Sequence, residues 1–327
     1  MSDAVYGYQP VCKWTNQGSG SAEWCYAKKF NKVWFIKRFL TPVFPDTTIN
    51  MPEEIRQKKA ERFASFRTKK ESLHQAVTKA ANGNLVTAHE VFQDGNKLFL
   101  TSECIPQSDK HLTEVQDLTP NVREVLARSL IDSVCRLHAV GVVHADLRPE
   151  NLLLKPTING YYALKIIDFD NGFLIDDPPL DPETFALDPL YAAPEVMRFS
   201  SGDKIRLDRQ IDVFAMGLLL HLILCGTLPS YDLERFRYPF AALQAGSPIT
   251  VSPQIKGSWP DLLTRMLSAN ASDRPEWDIP YQTILQKPVN FPAEHHPVNE
   301  DDNSVEQKTT AGGTPWRKAP PDISTPW

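Results

Sequence analysis

The sequence predicts an α+β protein of two unequal lobes, a small five-stranded antiparallel sheet with one helix followed by a larger, mainly helical lobe. Three observations predict it. Short alternating apolar segments occupy residues 8–39 and 86–103, separated by turn-forming residues. One long helical stretch, 53–81, lies between them. Beyond residue 104 the spacing of apolar residues changes from a strand-like period of about two to a helical period of about 3.6.

Taken in order, residues 8–14, 24–27 and 33–39 read as three antiparallel strands. Gln17-Gly18-Ser19-Gly20-Ser21 separates the first two, and Phe30-Asn31-Lys32 turns between the last two. A Pro/Thr-rich linker, 41–52, leads into the long helix, which Asn82-Gly83-Asn84 stops. Two more strands, 86–92 and 97–103, flank the turn Gln93-Asp94-Gly95-Asn96. Residues 122–140 then place Val125, Leu126, Leu130, Ile131, Val134, Leu137 and His138 on one helical stripe. Further helices are expected at 210–225, 232–245, 259–268 and 280–286. The implied organisation is an N-terminal segment 1–7, a small lobe 8–103, a large lobe 104–288 and a C-terminal tail 289–327 expected to be disordered. That tail repeats Thr-Pro-Trp at 314–316 and 325–327, readable as a short partner-binding or self-docking motif, although two copies of three residues arise easily by chance.

Bulk properties narrow the class. A net charge of −5 and a pI near 5.9 give no general attraction for nucleic acid or anionic membrane. The basic residues Lys58, Lys59, Arg62, Arg67, Lys69 and Lys70 read as a solvated helix face. Five scattered cysteines show neither zinc spacing nor a disulfide framework, which suits a reducing compartment. The longest apolar run, 213–225, is too short to span a bilayer, and residues 1–20 contain no apolar signal core. A cytoplasmic protein is expected.

The chemistry concentrates in His144-Ala145-Asp146-Leu147-Arg148-Pro149-Glu150-Asn151 and, after an apolar run, Asp168-Phe169-Asp170. An aspartate, an asparagine five positions on and a second aspartate form the set that phosphoryl transfer from a magnesium nucleotide needs. These segments resemble the catalytic loop, H-R-D-L-K-P-E-N, and the metal-binding D-F-G motif of eukaryotic-type (Hanks-type) Ser/Thr protein kinases. The resemblance implies the two-lobed kinase fold, with ATP and Mg²⁺ as cofactors. Asp146 would face the substrate hydroxyl, while Asn151 and Asp168 would hold the metal.

The same resemblance makes Lys37 the strand lysine that contacts the nucleotide phosphates. Strand alternation puts Val33, Phe35 and Lys37 on one face, so the charge points inward and needs an anion, whereas Arg38 faces solvent. Glu71 is its expected helix partner, with Glu61 as the other candidate. Gly18-Ser19-Gly20-Ser21-Ala22-Glu23 is similar to the glycine-rich loop over the phosphates, with Glu23 where the third glycine should be. Glu103 and Cys104, continuing to Ile105, would run along the adenine pocket beside a small gatekeeper, Ser102. Tyr191-Ala192-Ala193-Pro194-Glu195, Arg274 and Asp212 resemble the structural anchors of the large lobe.

Three departures qualify the match. Ala145 stands where many kinases carry an arginine that grips a phosphorylated activation loop, so control by phosphorylation at Thr184 or Tyr191 lacks its receiver. Arg148 and Asp188 replace a lysine and a threonine that usually bond to each other, and an Arg148–Asp188 ion pair is expected instead. Asp170 replaces the motif's glycine and is expected to hold the loop in one state. The reading is an ATP-dependent Ser/Thr protein kinase with Asp146, Lys37 and Arg148 as catalytic residues and a protein substrate. A nucleotide-binding pseudokinase, or a kinase for a small molecule or lipid, is the alternative.

Overall fold

The computed structural model describes residues 4–17, 21–46, 48–105, 111–182, 185 and 187–285. The small lobe holds a five-stranded antiparallel sheet in the order β1-β2-β3-β5-β4. Its strands are β1 (Gln9–Pro10), β2 (Ala22–Lys29), β3 (Lys32–Phe39), β4 (Ala88–Asp94) and β5 (Lys97–Glu103). β2 and β3 pair from Ala22↔Phe39 to Lys29↔Lys32. Phe30 and Asn31 close this hairpin with φ of 50° and 59°, the left-handed pair that a two-residue turn requires. β1 is shorter than its apolar pattern suggests, because Pro10 brings no N–H to a ladder. The chain after it still follows β2, through Val11 N to Tyr26 O and reciprocal bonds between Thr15 and Trp24.

Helix α1 (Glu53–Ala80) begins with Glu53 and Glu54, which favour its positive N-terminus. It buries Phe63 and, about two turns further on, Lys70, Leu73, His74, Val77 and Ala80, a stripe of seven-, three- and one-residue steps on one face. Lys70 therefore does not belong to the solvated basic face expected of this helix. The next segment departs from the expected strand: Val86 N donates to Ile166 O, and Ile166 N to Asn84 O. This backbone pairing ties the small lobe to the large one, and β4 starts only at Ala88.

The large lobe contains α2 (Pro120–Ala139), α3 (Pro194–Ser200), α4 (Gln210–Cys225), α5 (Pro239–Gln244), α6 (Trp259–Met266) and α7 (Ile279–Leu285). Thr119 caps α2 and Pro120 opens it, a pairing suited to orphan N–H groups at a helix start. α4 is apolar all round and buried from Ile211 to Ile223, as a central core helix should be. α5 begins seven residues later than the helix expected over 232–245. Pro239 forces the preceding Tyr238 into an extended conformation (φ −132°, ψ 148°), so the helix can only start at the proline.

Short strands carry the segments between α2 and α3. β6 (Val142–Val143) pairs with β9 (Phe173–Leu174), and β7 (Leu152–Pro156) with β8 (Tyr162–Ile166). The 144–151 loop lies between β6 and β7, and Asp168 follows β8. Both thus emerge from paired strands above a core built on α2 and α4. No helix among the described residues is long and apolar enough to cross a membrane. The tail carrying Thr-Pro-Trp lies outside the described residues.

Candidate active site

Between the lobes lies a cavity of about 150 Å³. Tyr26 and Phe35 from the sheet face it on one side, Leu153 and Ile167 of the large lobe on the other, and Glu103, Cys104 and Ile105 at its edge. Ser102 also lines it, as do Lys37, Asp168 and Asp170. Apolar walls with a charged end suit a flat, hydrophobic base carrying an anionic group.

Lys37 is 4% exposed, and strand alternation on β3 puts it inside as expected. Its Nζ donates to Asp168 Oδ1 at 3.0 Å and to Asp170 Oδ2 at 2.8 Å. Burial opposes its charge, but Asp170 and then Asp168 overcome that and hold its pKa above the usual lysine value. Arg38, the next residue, points to the other face, where Glu23 meets it at 2.7 Å and Trp14 stacks beneath its guanidinium. Glu23 sits opposite Arg38 in the β2–β3 register, so its charge is directed away from Lys37.

The catalytic-loop segment hangs on Asp212 of α4. The buried carboxylate accepts from His144 N at 2.7 Å and Ala145 N at 2.8 Å, with His138 Nε2 at 2.9 Å. Ala145 and Asp168 both have left-handed backbone, at φ 66° and 62°, the strain that tends to persist at functional sites. His144 Nδ1 accepts from Asp146 N at 3.3 Å, which leaves Nε2–H to donate to Ile167 O at 3.1 Å. His144 thereby joins the Asp146 loop to the strand end preceding Asp168. Its ring also packs on Phe169, with centroids 4.8 Å apart, and Phe169 meets His74 of α1 edge-on at 6.3 Å.

Asn151 Nδ2 donates to Asp146 O at 2.8 Å and Asp146 Oδ2 at 3.1 Å. With its nitrogen so engaged, the amide's oxygen is the atom that can face a cation. Burial raises the Asp146 pKa, opposed by His144 and Arg148. Arg148 divides its guanidinium: Nε donates to Glu150 at 2.7 Å and Nη1 lies 3.3 Å from Asp188 Oδ2. The expected pairing with Asp188 forms, as a single contact rather than a fork. Glu195 and Arg274 make the forked pair instead, at 2.5 and 2.9 Å.

Other expected site residues fare differently. Gly18, Ser19 and Gly20 lie outside the described residues. Ser21 is an exposed residue whose carbonyl accepts from Leu40 N at 3.0 Å, at the end of the β2–β3 pair. Glu103 lines the cavity, and its carboxylate bonds to Lys155 at 3.0 Å. Glu71 does not meet Lys37; it pairs along its own helix with Arg67 at 2.7 Å. Glu61, the other candidate, accepts from Gln57. The reason is rotational. Lys70 is the inward-facing residue, so Glu71 lies about 100° round the helix and Glu61 about 180°. Lys70 Nζ donates to Asp170 O at 2.6 Å and lies over the rings of Phe39 and Phe66. Burial pulls its pKa down. Lys70 and His74 were not among the expected site residues, and only their spacing on the Phe63–Ala80 stripe hints at them.

A sequence model of the protein kinase domain matches residues 53–289, a span that starts at α1 and therefore leaves Lys37 and the glycine segment outside it. The chain is similar to a probable myosin light chain kinase of Dictyostelium discoideum, 30% identical over 176 residues, covering 53% of this chain and 55% of that protein. It is similar to the serine/threonine-protein kinase cds1 of Schizosaccharomyces pombe, 27% identical over 239 residues, covering 69% of this chain and 48% of that one. A third relative, the probable serine/threonine-protein kinase fhkC of D. discoideum, is 32% identical over 170 residues, 50% of this chain and 28% of its own. The chain thus spans about half the length, or less, of these curated relatives.

Proposed function

The chain belongs to the protein kinase family, and from that premise we propose that it transfers the γ-phosphoryl group of ATP to serine or threonine hydroxyls of a protein substrate. The observation that carries this reading is the convergence of Lys37 and Asp168 at the charged end of the cavity, with Asp146 and Asn151 on the adjoining loop. Lys37 would hold the phosphates, and Asp146 would orient the acceptor hydroxyl and take its proton. Arg148, beside Asp146, would steady the transferring group's charge. The donor set fits Mg²⁺: a carboxylate from Asp168 and an amide oxygen from Asn151 are hard ligands, and two protein groups are what an ion shared with phosphates and water requires. The metal, when bound, would neutralise charge on the phosphate oxygens. The names of two of the three relatives support serine/threonine over tyrosine.

We further read the activity as independent of activation-segment phosphorylation. Ala145 offers no side chain to grip a phosphate, and Tyr191 is only 9% exposed. Thr184 lies outside the described residues. The five free cysteines support a cytoplasmic setting.

The test is incubation of the purified chain with Mg²⁺, labelled ATP and a panel of protein acceptors, beside Asp168→Asn. Label on Ser or Thr that disappears in the variant is the expected result. Nucleotide binding with no transfer to any acceptor would favour a pseudokinase module, and transfer only to lipids or small molecules would overturn the protein-kinase reading. Prior treatment with a protein phosphatase should leave the rate unchanged.

A further inference from the structure

We propose that Asp170 is the positioning acid for Lys37, doing within the metal-binding motif what a helix carboxylate does in the family pattern, and that Lys70 of α1 holds Asp170 in place. This rests on the reading of the site as a phosphoryl-transfer centre.

A lysine as buried as Lys37 requires a counter-charge. The two carboxylates on its Nζ are Asp168 and Asp170. Asp168 Oδ1 accepts from Lys37 Nζ and from Asp170 N, and a metal taken by its other oxygen would share the same negative charge, so in the loaded site the undivided counter-charge for Lys37 is Asp170. Neither helix glutamate competes, since Glu71 and Glu61 are turned onto their own helix neighbours.

The charges of helix and motif are exchanged together. The inward position of α1 carries a cation, Lys70, and the motif's third position carries an anion, Asp170. Two ammonium groups, Lys37 and Lys70, thus face two carboxylates, Asp168 and Asp170. A glutamate at position 70 with Asp170 retained would set three carboxylates against one lysine. A lysine there with glycine at 170 would leave two like cations and only Asp168 between them. Each change makes sense only with the other.

The backbone allows it. The tight backbone approach in this segment falls at Gly172, where a Cβ would come within 3.1 Å of Phe169 O and 3.2 Å of Val143 O. Position 170 is free to carry a side chain, and Asp170 N is fixed by Asp168 Oδ1 at 3.2 Å. Lys70 completes the arrangement by donating to the Asp170 carbonyl. The lysine's partner is therefore built into the motif next to the metal ligand, and α1 grips that motif through backbone rather than gripping Lys37.

The test compares Asp170→Asn, Asp170→Gly, Lys70→Glu and the double variant Lys70→Glu/Asp170→Gly with wild type, using Glu71→Gln as control. Two quantities are read: kcat and KM for ATP and for the acceptor, and the Kd of a fluorescent ADP with Mg²⁺. Asp170→Asn should lower kcat/KM for ATP by about 10- to 100-fold and weaken nucleotide binding, with the acceptor KM unchanged. Glu71→Gln should match wild type. Lys70→Glu should be as impaired as Asp170→Asn, and adding Asp170→Gly to it should recover at least tenfold, because a glutamate at 70 then faces Lys37 without a competing acid. That recovery cannot come from a variant that merely fails to fold. Unchanged nucleotide affinity in Asp170→Asn, or a double variant no better than Lys70→Glu, overturns the proposal. If wild type transfers no phosphate, the kinase reading fails by itself, and the nucleotide Kd series still decides whether Asp170 positions Lys37.

Discussion

Arg148 and Asp188 stand 3.3 Å apart, joining the catalytic loop to the segment that precedes α3. The contact is shared, because the same guanidinium binds Glu150 at 2.7 Å. Both partners are roughly a quarter exposed, 30% for Arg148 and 25% for Asp188, so solvent screens the attraction. A double-mutant cycle with Arg148→Lys and Asp188→Asn should give a coupling of about 0.5–1 kcal/mol in kcat/KM. A coupling indistinguishable from zero would show that Glu150 alone holds the arginine. Asp188 also fixes Leu190 N at 2.9 Å, so Asp188→Ala should cost more activity than Asp188→Asn.

Asp212 anchors a strained turn. Its two oxygens accept from two consecutive backbone N–H groups and face His138. An asparagine there would turn an N–H₂ toward one of those donors. Asp212→Asn should lose about 2–3 kcal/mol of stability, read from urea midpoints, and reduce transfer further by loosening Asp146. Ala145, held at φ 66° by this carboxylate, should behave unusually: Ala145→Gly should be neutral or stabilise by up to about 1 kcal/mol.

Arg274 is the other buried anchor. Its side chain is fully inaccessible, bonds both oxygens of Glu195, and donates to Gln210 O at 2.9 Å and Ser268 O at 3.0 Å. Arg274→Ala would strand Glu195 and several carbonyls, and should cost about 3–5 kcal/mol, a fall of roughly 10 °C in thermal midpoint. Lysine cannot reproduce the fork and should rescue only in part.

What could be read beforehand follows how local the information is. Asp146, Asn151 and Asp168 lie within short segments that resemble the catalytic-loop and metal-binding motifs of protein kinases, and that resemblance implies their chemistry. The direction of Lys37 follows from strand alternation, and the Arg148–Asp188 contact from complementary charges at two positions known to touch. The partner of Lys37 was not legible for a rotational reason. On α1 Lys70 and Glu71 are neighbours, and one residue of phase turns a side chain by about 100°. What sets that phase is tertiary: the Phe169–His74 packing and the Asp170 carbonyl, both about a hundred residues away. The acids at Lys37 are Asp168 and Asp170 of the motif, and Glu71 of the helix faces Arg67.

His74 gives the site a pH dependence whose sign can be worked out. It is buried on the inner stripe of α1, and neither ring nitrogen has a hydrogen-bond partner among the described residues. Burial, and then the neighbouring Lys70 charge, push its pKa down from 6.5 to about 4; Asp170 favours its protonation and Lys37 opposes it. In the folded protein the ring therefore stays neutral until the pH reaches about 4, whereas in the unfolded chain it takes a proton near 6.5. Between those values the unfolded state binds more protons, so stability falls as the pH drops through that window and is unaffected by this group above it. The loss should approach about 3 kcal/mol by its lower end. His74→Leu keeps an apolar side chain against Phe169 and removes the titration. Urea midpoints at pH 7.5 and 5 should therefore differ less in His74→Leu than in wild type, with the variant the more stable of the two at pH 5. An equal acid loss in both proteins would assign it to the carboxylates instead.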